Sequence, residues 1–172
     1  MQNADLWQKC LDFHGHSCGG LAIGFRAALY ARKLLGIDFS EDEQIVCVSE
    51  NNACGVDAIS VLLGCSIGKG NLLFRIRGKQ AFSFYNRQNG QSFRLILKAQ
   101  PDGVKDKASK LEYMLNAPDE DLFSITEVPL TMPLEAPIFE SKPCGECGEM
   151  TAECFLRYKN GKLLCADCYD KS

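Results

Sequence analysis

The run His14-Gly15-His16-Ser17-Cys18-Gly19-Gly20 holds both histidines of the chain and places a cysteine two residues after the second. Imidazole and thiolate are common ligands of transition metals, and either also serves nucleophilic or acid–base chemistry. The ordinary alternative is two loop histidines and a packed cysteine beside a glycine turn. A second stretch, Glu50-Asn51-Asn52-Ala53-Cys54-Gly55-Val56-Asp57, sets another cysteine between two carboxylates. The strongest signal is the pair Cys144-x-x-Cys147 and Cys165-x-x-Cys168, separated by 17 residues. Each CxxC turns two sulfurs toward one point, and this separation suits a four-cysteine structural zinc site. Cys154 lies between the pairs as a possible substitute ligand and is expected to be a packed thiol.

These residues need elements to hold them. Leu6, Trp7, Cys10 and Leu11 recur at helical spacing within Asp5–Phe13, a short amphipathic helix. Leu21–Leu35 reads as a second helix, stopped by Gly36, with Arg32 and Lys33 suiting the dipole of its last turn. Cys18 then sits at a helix N-terminus, where partial positive charge favours a thiolate. Gln44–Ser49 is a β-branched, alternating strand. Asn52 is a cap candidate for a helix carrying Ala58, Ile59, Val61, Leu62 and Leu63, which puts Cys54 at a second helix start.

Three β segments follow. Leu72–Arg77 and Lys79–Tyr85 are joined at Gly78, and Asn89-Gly90 is a hairpin signal leading into Gln91–Lys98. In the first, Leu73, Arg75 and Arg77 alternate with Leu72, Phe74 and Ile76, so one face is basic. A solvated face is the ordinary reading, and an anion-binding or dimer-facing surface the alternative. Gly103–Asn116 reads as an amphipathic helix with Val104, Ala108, Leu111 and Leu115 inward, and Phe123–Leu130 as a last strand. Pro129, Pro133, Pro137 and Pro143 then mark a semi-rigid linker. The domains expected are a core over 1–130, a linker over 131–142 and a zinc module over 143–172. In that module Asn160-Gly161 forms a hairpin between Phe155–Tyr158 and Lys162–Leu164.

Ten cysteines could staple a small secreted domain. The polar first ten residues, however, show no export signal, so a reducing cytoplasm is expected, with the thiols as ligands or reactive groups. No apolar run approaches the roughly 20 residues of a membrane span. The net charge of −3 argues against a nucleic-acid partner. From Thr131 onward acidic residues outnumber basic ones by seven to five, so the zinc module suits protein contact better than phosphate.

Taken together, FHGHSCGGLAIG, ENNACGVDAISVLLGCSIGKGNL and CGECGE…CADC resemble the formylmethanofuran dehydrogenase E-subunit (FmdE) family over most of the chain. The resemblance implies an α+β fold: a mixed β-sheet flanked by helices, thioredoxin-like, with a small treble-clef zinc finger. It also implies a homodimer and a metal-capable core site. His14, His16 and Cys18 match the first motif, and Cys54 and Asp57 the second; Gly19 stands where the family usually has proline.

The leading expectation is a metal-binding accessory protein of anaerobic redox metabolism. Cys18, Cys54 and His16, with His14 second, hold zinc or another divalent transition metal in an open site. Asp57 and Glu50 orient a histidine or accept a proton. The alternatives are a redox enzyme using Cys18 or Cys54 as its thiol, and an interaction protein docking a molybdenum or tungsten oxidoreductase.

Overall fold

Hydrophobic spacing and stop signals place the helices of the computed structural model, which describes residues 2–99 and 106–171. The chain divides into two units, Met1–Glu135 and Ala136–Ser172. In the first, α1 (Gln2–His14) turns Leu6, Trp7, Cys10 and Leu11 toward the core. α2 (Gly19–Leu35) ends where Gly36 adopts φ 64° and donates its N–H to Arg32 O. α3 (Gly55–Leu63) ends the same way at Gly64, with φ 69°. That left-handed cap conformation costs glycine little and β-branched residues much. The helix start expected at Asn52 lies two residues later. Asn51, not Asn52, accepts the Ala53 N–H with its side chain, and Cys54 occupies the cap position.

The sheet contains β1 (Ile45–Ser49), β2 (Leu72–Phe74), β3 (Ala81–Asn86), β4 (Ser92–Leu97) and β5 (Phe123–Thr126), in the order β2-β1-β3-β4-β5. β2 runs parallel to β1 and the remaining neighbours are antiparallel, so the sheet is mixed. The segments on either side of Gly78 do not pair with each other, because β1 lies between them. β2 is also shorter than expected: Arg75 and Arg77 continue it only as extended chain, donating their N–H groups to Ser49 O and Glu50 O. β5 is shorter too, and the one-turn helix α5 (Asp119–Leu122) leads into it.

Alternation along the strands separates two faces. Ile45, Cys47, Phe82, Phe84, Phe93 and Leu95 join the helices in the main core. Val46, Val48 and Tyr85 point the other way and pack with Leu73, Val128 and Met132. β1 is therefore buried at every position. The stretch expected to be a linker from Thr131 is fastened to this second face. Tyr85 Oη donates to Leu130 O, and Arg87 donates to the carbonyls of Pro133 and Leu134.

α4 (Lys107–Asn116) is capped by Asp106, which accepts from Ala108 N and Ser109 N. Gly103 and Val104, expected in this helix, lie outside the described residues. Met114 is its buried residue, while Ala108, expected inward, is exposed. Arg26 on α2 is buried and donates to the carbonyls of Met114, Leu115 and Ala117 and to Asp119. It satisfies the otherwise orphaned C-terminal carbonyls of α4. Gly24 on α2 meets Gly55 at the start of α3 so closely that a Cβ on Gly24 would overlap the Gly55 carbonyl. Only glycine permits that approach, and it brings together the two helix starts that carry Cys18 and Cys54.

The second unit runs β6 (Ser141–Pro143), β7 (Met150–Ala152), a 3-10 turn at Glu153–Phe155, β8 (Arg157–Lys159), β9 (Lys162–Leu164) and α6 (Ala166–Lys171). The first CxxC turns between β6 and β7, and the second opens α6 after the β8–β9 hairpin. This is the knuckle, hairpin and helix order of a treble clef. Asn160 and Gly161 take φ 51° and 82°, as a two-residue type I′ hairpin requires. Cys154, expected to be packed, is exposed, because the 3-10 turn carries it outward. Among the described residues, no helix is long and apolar enough to cross a membrane.

Candidate metal centre

His14 is the last residue of α1, and Gly15, at φ 88°, turns the chain back toward α2. The ring of His14 packs 4.5 Å from that of His16, centroid to centroid. Its Nδ1 lies 2.7 Å from Asp57 Oδ2 on the first turn of α3. Its Nε2 faces Cys18 Sγ at 3.9 Å. Cys18 caps α2, accepting the Leu21 N–H at 3.3 Å. The ligand atoms of His14, His16 and Cys18 all lie within 4.8 Å of one another. Donors around a tetrahedral ion with bonds of about 2.0–2.3 Å sit roughly 3.3–3.8 Å apart. A small inward movement of these side chains would therefore suit one ion. His14 is largely buried and oriented, whereas His16 is exposed.

Cys54 stands beside this group. A Cβ built on Gly20 would lie 3.7 Å from Cys54 Sγ and 3.9 Å from Cys18 Sγ, so both sulfurs converge on the start of α2. The expectation that a helix N-terminus favours a thiolate fails at Cys54. Burial pushes its pKa up, and a hydrogen bond with Cys18 and the charges of Cys18 and Asp57 add to the rise. A bound cation is the means by which two adjacent thiols can both ionise. Glu50, the other carboxylate expected to orient a histidine, is held elsewhere. Arg94 takes both its oxygens, at 2.6 and 3.0 Å.

In the second unit the ligand atoms of Cys144, Cys147, Cys165 and Cys168 lie within 4.8 Å of one another. Cys147 Sγ is 3.9 Å from Cys165 Sγ, and Cys144 Sγ accepts the Cys165 N–H at 3.3 Å. That bond, followed by those from the N–H groups of Cys147 and Glu146, draws the Cys144 thiol down to about 6. Cys168 goes the opposite way, to about 12, chiefly through its hydrogen bond with Cys165 and then through burial. Thiols crowded at this spacing cannot all shed their protons alone. A metal ion supplies the missing charge, and this donor set fits one.

An α+β unit with an imidazole–thiol cluster at two helix starts, joined to a four-cysteine metal-binding module, defines the class of protein. The family described as "FmdE, Molybdenum formylmethanofuran dehydrogenase operon" matches residues 13–124. The chain belongs to that family. It is also 29% identical to a probable S-adenosyl-L-methionine-binding protein of Archaeoglobus fulgidus, over 95% of this chain and 53% of the relative. The chain thus spans about half the length of that curated relative. A crystal structure of a tungsten formylmethanofuran dehydrogenase FmdE-like protein from Syntrophus aciditrophicus shares the fold. Its TM-score is 0.71 at 23% identity, covering 99% of this chain and 93% of the other.

Proposed function

We propose that this chain is a metal-binding accessory protein, with a structural zinc in the second unit and an accessible divalent transition metal in the first. Cys144, Cys147, Cys165 and Cys168 hold the former. His14, His16 and Cys18 hold the latter, with Cys54 close enough to join them. The observation that carries the reading is the Asp57–His14 contact of 2.7 Å. A ligating imidazole characteristically gives its second nitrogen to a carboxylate, which fixes its tautomer and aims the other nitrogen at the metal. With Asp57 holding the proton at Nδ1, Nε2 is left free on the side where Cys18 lies.

A metal bound there would supply Lewis acidity. The chain's residues do the rest. Asp57 orients His14, exposed His16 leaves the site accessible, and Cys54 keeps a proton next to Cys18. Partnership with a molybdenum or tungsten oxidoreductase, and a homodimer, belong to the same proposal. Exposed Met150, Phe155, Tyr158 and Leu163 in the second unit support a protein-contact role for it.

A second reading, a thiol enzyme, draws on the Cys18–Cys54 hydrogen bond. Metal analysis of the full chain, purified without oxygen, separates the two. Two ions per chain are expected, one lost in Cys165→Ser and the other in His14→Ala. If His14→Ala keeps both ions, the core site is wrong. If it keeps both while Cys54 still alkylates rapidly, the thiol reading takes its place.

A further inference from the structure

The basic alternation at Arg75 and Arg77 takes no part in either metal site. In the fold it becomes one wall of a recess of about 300 Å³ on the sheet face away from the helices, where Lys79, Arg94, Glu50 and Glu127 complete the lining. Four cations there face two carboxylates, although the whole chain is acidic. One of those carboxylates is already committed. Glu50 is buried, both its oxygens are bound by Arg94, and those bonds hold its carboxyl below the ordinary range against the effect of burial. Arg75 and Lys79 form no ion pair among the described residues, and act on Glu50 only through space. Like charges gathered in a concavity raise the local concentration of anions. Guanidinium forks match oxyanions in particular.

Arg75 also lines a second, apolar groove of about 700 Å³ with Val48, Leu73, Leu130 and Met132. The outer wall of that groove is chain fastened from Leu130 to Leu134 by the bonds of Tyr85 and Arg87. A charged recess and an apolar groove sharing one arginine form a site with a polar end and an apolar end. Small-molecule sites commonly combine mostly apolar walls with a few placed charges, at about 300–1,000 Å³.

We propose that this face binds a small amphipathic organic anion, its oxyanion head among Arg75, Arg77 and Lys79 and its apolar body against Leu73 and Met132. The site uses neither metal cluster, so it stands or falls independently of the proposed function. The test is calorimetric titration of the full chain at fixed ionic strength with inorganic phosphate, octyl phosphate and octanoate. Octyl phosphate, octanoate or both should saturate, and the better of the two identifies the head as phosphate or carboxylate. That ligand should bind at least about 10-fold more tightly than inorganic phosphate. Arg75→Ala should weaken it by about 10-fold or more. Lys79→Ala, at an exposed position where folding is not at risk, should weaken it several-fold. Met132→Glu should weaken the alkyl ligand while leaving inorganic phosphate within about 2-fold. The proposal is overturned if neither alkyl ligand saturates, if the alkyl chain adds no affinity, or if Arg75→Ala and Lys79→Ala bind like the parent.

Discussion

A single hydrogen bond distinguishes two histidines that lie two residues apart. His14 reaches Asp57 across 43 positions of sequence, while His16 remains exposed. Sequence spacing favours His16, because it lies nearer to Cys18. The fold favours His14, because α3 delivers a carboxylate to its Nδ1. Asp57→Ala should therefore weaken core metal binding by about 10- to 100-fold, the usual cost of losing a carboxylate behind a ligating histidine. Asp57→Asn should lose less, since an amide oxygen can still accept from Nδ1–H. Competition with a chromophoric chelator, using a variant lacking the second-unit metal, reads both values. Equal affinity for Asp57→Ala and the parent would remove Asp57 from the site. The pair Glu50–Arg94 shows the converse. Both carboxylates flank Cys54 in sequence, but β1 ends at Ser49 and turns Glu50 to the opposite face of the sheet, where Arg94 takes it.

The helices bring Cys18 and Cys54 together through glycine. Gly24 and Gly55 are in backbone contact, with the position a Cβ would take on Gly55 only 2.9 Å from Gly20 O and 3.1 Å from Gly24 Cα. Gly24→Ala cannot be absorbed by a side-chain rotation, since the obstacle is the Gly55 carbonyl. It should cost at least the upper part of the ~1–3 kcal/mol range for overpacking, read as a lower urea midpoint. Because α2 and α3 must separate, it should also weaken core metal binding, although no ligand is changed. Gly19→Ala, with nothing within 4 Å of its would-be Cβ, is the matched control and should do neither. Parent-like stability in Gly24→Ala would mean that the helices are not in this contact. The helices and their stops were legible because period, caps and glycines are local signals. The placement of β1 between β2 and β3 was not, because pairing across the sheet leaves no mark on either side of Gly78. Nor was the fastening of residues 130–134, which depends on Tyr85 and Arg87 meeting carbonyls about 45 positions away. The four cysteines, by contrast, declared their site through spacing alone.

At the scale of the molecule the two units fold on different principles. The first carries a continuous apolar core across a five-stranded sheet and its helices. The second has Cys144, Leu164 and Cys165 as its buried hydrophobic residues, with Cys168 and Tyr169 packed beside them. Three of those five are cysteines of the metal-binding set. A domain below about 40 residues rarely buries enough apolar surface to fold alone, and here the ligands are themselves the core. Metal binding and folding of this unit should therefore be one event. When a chelator strips the full chain, amide protection over 141–171 should vanish together with the second-unit metal. Protection of β1, β3 and β4 should remain, because their stability comes from apolar burial. Cys144→Ser should produce the same pattern without chelator. Hydrogen exchange read by mass spectrometry checks both arms. Persistent protection at β8 and β9 after complete loss of the metal would show that the hairpin has another source of stability. Loss of protection at β1 along with them would show that the two units do not fold independently.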